Sequence, residues 1–242
     1  MFMARKLGSK PSRSASLLRS VGIGPKLGQE SNKETDKGAG KVVAIGQAGR
    51  QSLRIIGGEW RGRKIPFATA VGLRPTQDRV RETLFNWVAS QIPGATCLDL
   101  FAGTGALGLE ALSRGAKQVN FVDLSNIATS SLNDNLKLLP VAEGQVSKVE
   151  QMSSFNWLRS YKALSETSTQ IERYDLVFLD PPFALALMQD TLTALFDSQC
   201  LAAKAMIYVE QPQPLTDLIL PEGWKLHRSK KAGQVFYGLI SR

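Results

Sequence analysis

From Leu53 onward the apolar positions recur with two periods, and the order of those periods predicts the elements. Leu53-Arg54-Ile55-Ile56, then Gly57-Gly58, then residues 60–67 read as a β-hairpin turning at the glycine pair. Thr76 or Asp78 is placed to cap a helix running to about Ser90, with Val80, Leu84, Phe85 and Val88 on one face. Pro93-Gly94 ends it. Beyond Gly94, short apolar strands are expected at 97–101, 119–123, 146–150, 174–180 and 205–210, and helical stretches at 107–114, 127–138 and 187–196. That alternation predicts an α/β class, a doubly wound, mainly parallel sheet covered on both faces. The chain end breaks the rhythm: 224–229 and 234–241 flank Lys230-Lys231-Ala232-Gly233 and read as an antiparallel hairpin. Residues 1–51, rich in Ser, Gly, Lys and Arg, show no sustained apolar period and are expected to be a disordered basic extension. Three regions are therefore expected: the extension 1–51, a hairpin and helix at 52–93, and the α/β domain at 94–242.

Charge sharpens this division. Of the formal +9, residues 1–50 hold ten Lys/Arg against three acids and residues 51–81 seven against two, while residues 82–242 hold thirteen against sixteen. A basic amino-terminal part ahead of a slightly acidic body suits a polyanionic partner, most simply nucleic acid. For the extension alone, a solvated tail is an equal reading. Two cysteines, Cys97 and Cys200, are too few for a disulfide framework or a thiolate zinc site, and His227 is the only histidine. No metal is expected. No apolar run approaches the ~20 residues that span a bilayer, and no secretory leader is apparent, so a cytoplasmic protein with no membrane partner is expected.

The first strand of the α/β region runs into Asp99-Leu100-Phe101-Ala102-Gly103-Thr104-Gly105-Ala106-Leu107-Gly108. Gly103-x-Gly105-x-x-Gly108 fits the turn that presents backbone to an adenosine cofactor, and Asp123, ending the second strand, sits where a ribose-binding acid belongs. The loop alone serves NAD as well as any other such cofactor. Asp99 tilts the choice: a carboxylate opposes a pyrophosphate at the helix start but suits an ammonium, such as the amino acid end of S-adenosylmethionine. Asp99 capping the loop amides is the structural alternative.

The fourth strand leads into Asp180-Pro181-Pro182-Phe183, a rigid turn at the carboxyl edge. A fixed carboxylate, a proline carbonyl and an aromatic face suit a planar base carrying an exocyclic amine. The amine donates to Asp180 and to the Pro181 carbonyl, its lone pair turns toward a sulfonium methyl, and Phe183 stacks on the base.

Leu98-Asp99-Leu100-Phe101-Ala102-Gly103-Thr104-Gly105 together with Asp180-Pro181-Pro182-Phe183 resembles a class I amino-methyltransferase. The upstream residues Leu53-Arg54-Ile55-Ile56-Gly57-Gly58, Gly72-Leu73-Arg74-Pro75-Thr76 and Arg79-Val80-Arg81-Glu82-Thr83-Leu84-Phe85-Asn86-Trp87 narrow it. Over roughly 52–242 the chain resembles the bacterial 16S ribosomal RNA guanine-N2-methyltransferases that modify guanine 966. The resemblance implies S-adenosylmethionine as methyl donor, 16S rRNA within the small ribosomal subunit as substrate, a monomer, and a seven-stranded sheet ending in the carboxy-terminal hairpin. It puts Asp99, Phe101, Gly103, Thr104 and Gly105 at the methionine end, Asp123 at the ribose, Gln151 and Met152 beside the adenine, and Asp180, Pro181, Pro182 and Phe183 around the target base. Ala184-Leu185-Ala186 stand where basic residues are expected near RNA.

Arg54, Arg61, Arg63 and Lys64 cluster with Trp60 on the expected hairpin and Arg74 and Arg79 follow, as phosphate-gripping candidates. Arg74 is equally suited to the cofactor carboxylate or the target nucleotide. Arg81 and Glu82 read as surface groups, Lys230 and Lys231 as a solvated turn or a further RNA contact, and Trp87 and Trp157 as core. Two rival functions share these motifs: adenine-N6 methylation of DNA, and RNA binding by an assembly factor without turnover.

Overall fold

The computed structural model describes residues 51–67, 77–168 and 171–242; residues 1–50 of the basic extension, Arg74 and Thr76 lie outside these residues, while Gln51, counted with the extension, opens the first strand. In chain order, β1 (Gln51–Arg54) pairs antiparallel with β2 (Lys64–Phe67), and α1 (Asp78–Trp87) follows. Then come β3 (Thr96–Asp99), α2 (Ala106–Ser113), β4 (Gln118–Asp123), α3 (Asn126–Leu138), β5 (Val146–Gln151) and α4 (Ser154–Thr167). The chain continues through β6 (Tyr174–Leu179), α5 (Met188–Asp197), β7 (Leu201–Gln211), β8 (Lys225–Ala232) and β9 (Val235–Ser241). The main sheet has seven strands in the order β5-β4-β3-β6-β7-β9-β8, with β3 to β7 parallel and β9 antiparallel to both neighbours.

Strand residues alternate between two cores, as a sheet covered on both faces requires. Leu176 and Phe178 of β6 join the core under α1, α2 and the β1–β2 hairpin, while Val177 and Leu179 join the core under α4 and α5. The order reverses between β3 and β6, so the chain leaves these two strands toward opposite faces. A crevice opens at their carboxyl ends, where open α/β sheets bind ligands.

Three expectations change. The hairpin does not turn at Gly57-Gly58; strands β1 and β2 are joined by residues 55–63, which lie against the end of α2. The Glu59 amide donates to the Ser113 carbonyl at 2.7 Å and the Trp60 amide to Ser113 Oγ at 2.9 Å. A β-carbon on Gly58, at φ +77°, would lie 1.8 Å from the Ser113 carbonyl oxygen, so glycine is required for this approach. Trp60 is 1% exposed and donates from Nε1 to the Pro140 carbonyl, so it belongs to the core rather than to the basic surface.

Arg81, read as a surface group, is fully buried, whereas Glu82 is exposed as expected. Arg81 Nη2 donates to the Arg54 carbonyl at 2.8 Å and to Asp78 Oδ1 at 2.7 Å, and Nη1 lies 3.5 Å from Glu110 Oε2. Glu110, also fully buried, accepts from the Ile56 amide, the Gly57 amide and Arg114 Nε at 2.7–2.8 Å. The opposite charges offset the cost of burying either alone, although Arg81 Nε and Nη1 make no hydrogen bond among the described residues. They clamp the hairpin onto the helix that follows the glycine loop.

The third change is at the chain end. Lys230 and Lys231 lie within β8, and the turn is Gly233-Gln234, with Ala232 paired to Val235. The sequence reading also left α4 out. Its Trp157, Leu158 and Tyr161 form one buried stripe, and Ser153 caps it by accepting from the Asn156 amide.

Candidate active site

The loop between β3 and α2 is shaped by two carboxylates. Asp123 Oδ2, at the end of β4, accepts the Gly103 amide at 2.7 Å, and its Oδ1 accepts the Ser125 amide at 2.7 Å. Gly105 adopts φ +78° at the start of α2, and a β-carbon there would lie 2.6 Å from Leu132 Cδ1. At Gly108 a β-carbon would fall 2.1 Å from the Phe121 ring, so this third glycine lets α2 pack on β4. Ser125 caps α3 through the Ala128 amide.

Asp99 is buried, and its Oδ2 accepts the Gly108 amide at 3.1 Å. Burial pushes its carboxyl up to about 7; hydrogen bonds from the Gly108 and Phe101 amides pull against this, and the Asp123 charge adds to it. The loop-capping alternative therefore describes the contact observed, and the same carboxylate gains from an arriving ammonium.

Gln151 is the register partner of Asp123, and the Met152 amide donates to the Asp123 carbonyl at 3.0 Å. Gln151 is exposed and accepts from Asn126 Nδ2. Phe101 and Gly103 are half-buried, and Thr104 is buried. The structure thus brings Asp99, Phe101, Gly103, Thr104, Gly105, Asp123, Gln151 and Met152 to one edge of adjacent strands. These residues fit a cofactor with an ammonium and a ribose. Each Asp123 oxygen already takes one amide and keeps acceptor capacity for a hydroxyl, and the 99–108 loop carries no Lys or Arg to offset a pyrophosphate.

Asp180 follows β6 at the same edge and is half-buried; Pro181 is buried, while Pro182 and Phe183 (38% exposed) face outward. A single 3-10 turn at Phe183–Leu185 ends at Ala186, whose φ of 48° is unusual for a residue with a β-carbon. A groove of about 300 Å³ opens beside the turn, lined by Pro181, Pro182, Phe183, Met188, Gln211 and Leu218 among others. Gln189 holds one wall, donating to the Ile219 carbonyl and accepting its amide. Leu185 is 60% exposed, so the stretch lacking basic residues presents an apolar surface.

Beneath Asp180 lies a pair the sequence reading missed. Tyr208 donates to Glu210 Oε2 at 2.8 Å, and both are buried. Burial, then the charges of Glu210 and Asp180, push the Tyr208 phenol well up, and burial raises the Glu210 carboxyl. Val209 pairs with Leu179, which places this pair beside the catalytic candidate.

Among the basic candidates, Arg54, Arg61, Arg63, Lys64 and Arg79 are exposed, and Arg74 lies outside the described residues. Trp157 is buried and Trp87 half-buried, stacked on Tyr237 at 5.7 Å; His227 is exposed. Cys97 is buried, with its thiol pushed far up by burial, which makes it inert. Among the described residues, no helix is long and apolar enough to cross a membrane, and no His/Cys/Asp/Glu group is arranged to hold a metal.

Comparison with known proteins gives a consistent result. The family model described as Conserved hypothetical protein 95 matches residues 53–241. Escherichia coli K12 Ribosomal RNA small subunit methyltransferase D is 44% identical over 195 residues, covering 81% of this chain and 92% of its own. The Haemophilus influenzae protein of the same name is 43% identical over 187 residues, covering 77% and 92%. A solved structure of an Escherichia coli candidate methyltransferase, yhhF, aligns with a TM-score of 0.66 at 40% identity, covering 79% of this chain and 98% of that one.

Proposed function

The chain belongs to the Conserved hypothetical protein 95 family, and on that premise we propose that it methylates the exocyclic N2 of a guanine, guanine 966, in 16S ribosomal RNA. It is a methyltransferase, and its methyl donor is S-adenosylmethionine. One observation carries the reading: the Asp123-anchored glycine loop and the Asp180-Pro181-Pro182-Phe183 turn stand at the carboxyl ends of neighbouring strands of one sheet. The substrate is the small subunit, the protein acts as a monomer in the cytoplasm, and regions 1–51, 52–93 and 94–242 serve as extension, RNA-contacting element and catalytic domain.

S-adenosylmethionine, when bound, supplies an electrophilic methyl group. Asp99 and the Gly103–Gly105 turn would hold its amino acid end, Asp123 would accept from the ribose hydroxyls, and Gln151 and Met152 would border the adenine. The guanine leaves its stack to reach the edge, and Phe183 covers its face. Asp180 and the Pro181 carbonyl accept the two amine hydrogens, which turns the nitrogen lone pair toward the methyl carbon. Transfer would form the N–C bond as the S–C bond breaks, leaving S-adenosylhomocysteine as the second product. The positive charge gathering on nitrogen would face the Asp180 carboxylate, which stabilises it until the excess proton passes to solvent. Arg54, Arg61, Arg63, Lys64, Arg74 and Arg79 grip phosphates and set position rather than sequence choice.

The test offers the protein small subunits lacking the modification, protein-free 16S rRNA and duplex DNA in parallel. Methyl transfer favouring the subunit supports the reading. Transfer to DNA alone overturns the substrate, and cofactor binding without transfer to any of the three favours an assembly factor.

A further inference from the structure

Strand β8 forms the outer edge of the seven-stranded sheet and carries Lys225, His227, Arg228, Lys230 and Lys231 with no acid. All five are exposed. Its four Lys/Arg stand out in a body, residues 82–242, where acids outnumber bases.

The charges are ordered rather than scattered. Arg228 pairs with Leu239 and Lys230 with Tyr237, and both partners belong to the core shared with α1 and the β1–β2 hairpin. Directly opposed residues of paired strands point to the same face. Arg228 and Lys230 therefore project toward the face that carries the basic hairpin, about 7 Å apart by the rise of a strand. Lys230 Nζ sits 5.9 Å from the Trp87 ring at the end of α1, Lys231 Nζ 4.7 Å from the Phe236 ring, and the Arg242 guanidinium 5.2 Å from the Trp224 ring. Three cations along this edge are thus steadied over aromatic faces without being neutralised. Lys225 and Arg228 have no side-chain hydrogen bond or ion pair among the described residues.

We propose that the β8 edge is a second RNA-backbone contact, gripping phosphates of the substrate at a distance from the hairpin. Arg228 and Lys230, two residues apart on one face, suit neighbouring phosphates, and the outward amides of an edge strand add donors to phosphate oxygens. Edge lysines also discourage strand-to-strand association, a role that predicts no effect on RNA affinity. The proposal rests on the RNA-substrate reading for its partner, but its test reads binding rather than methyl transfer.

The full chain and the double variant Lys225→Gln/Arg228→Gln are compared for binding to protein-free 16S rRNA across a monovalent salt series. These positions avoid the ring-stacked lysines, and unchanged S-adenosylhomocysteine binding by calorimetry checks the fold. The expected result is weaker binding and a log–log salt slope reduced by about 1.4 to 1.8, the counterion release of two phosphate contacts. Lys225→Arg/Arg228→Lys should restore the slope. An unchanged slope overturns the proposal. So does a higher KM for small subunits with unchanged RNA binding, which would place a protein against this edge. A β8-dependent slope in a protein that methylates no rRNA would sink the substrate reading and leave this contact standing.

Discussion

The Gly103 amide donates to Asp123 Oδ2 at 2.7 Å, joining the turn after β3 to the end of β4 across 20 residues of chain. The same carboxylate holds the Ser125 amide that opens α3. One side chain thus fixes both the glycine loop and the entry to α3, and each of its oxygens keeps acceptor capacity.

Asp123→Ala should cost both functions. A hydrogen bond to a charged group contributes about 1.5–3 kcal/mol, so losing even one ribose hydroxyl contact should lower S-adenosylhomocysteine affinity roughly ten- to hundredfold, as read by calorimetry. Affinity within twofold of wild type would remove Asp123 from the cofactor site.

Asp99 should make cofactor affinity depend on pH. Its carboxyl is raised to about 7 in the folded chain, so its contribution to stability is present below its ordinary carboxylate range and is lost as pH rises through about 7. An ammonium arriving beside it favours the ionised form, so S-adenosylhomocysteine affinity should rise with pH over the same interval. Asp99→Asn should flatten that profile and raise the melting temperature of the ligand-free protein above pH 7. A variant profile that parallels wild type would contradict the pairing.

Glu110→Ala should damage the fold before the chemistry. It leaves buried Arg81 with the Asp78 carboxylate alone among the described residues and takes the acceptor from Arg114 Nε and from the Ile56 and Gly57 amides. Breaking such a buried pair costs about 3–5 kcal/mol. Thermal unfolding should show a drop of several degrees or more, with faster amide exchange at Ile56 and Gly57. An unchanged melting temperature would mean the cluster does not hold the hairpin.

What was legible in the chain was what is local. The glycine loop, Asp123 and the 180–183 turn each lie within a few residues of a strand end, and their backbone requirements show in glycine and proline spacing. The stripe Val80, Leu84, Phe85 and Val88 likewise gave α1, and all four are buried. The missed features depend on partners far along the chain. Glu110 meets Gly57 across 53 residues, so nothing near Arg81 marked it as buried. The Tyr208–Glu210 pair hid in an apolar strand, where alternation looks the same whether or not a phenol answers a carboxylate. Helix α4 was obscured because its buried apolar stripe is short, Trp157, Leu158 and Tyr161, while Leu164 on the same helix is exposed. Lys230 and Lys231 looked like a turn because polar runs usually are one, whereas on an edge strand solvent accepts both faces.

Asp180→Ala should separate binding from chemistry. The variant should keep S-adenosylhomocysteine affinity, because Asp180 is not among the residues proposed to hold the cofactor, while kcat falls by at least a hundredfold through loss of the acceptor facing the developing charge. Wild-type turnover in this variant would discard the base-holding role.

The most direct measurement is methyl transfer from labelled S-adenosylmethionine to small subunits prepared from cells lacking this protein, followed by nucleoside analysis of the RNA. The account predicts label in N2-methylguanosine, at one site, with wild type and not with Asp180→Ala. Label in another nucleoside, or none on subunits or free rRNA by a protein that binds the cofactor, would contradict it.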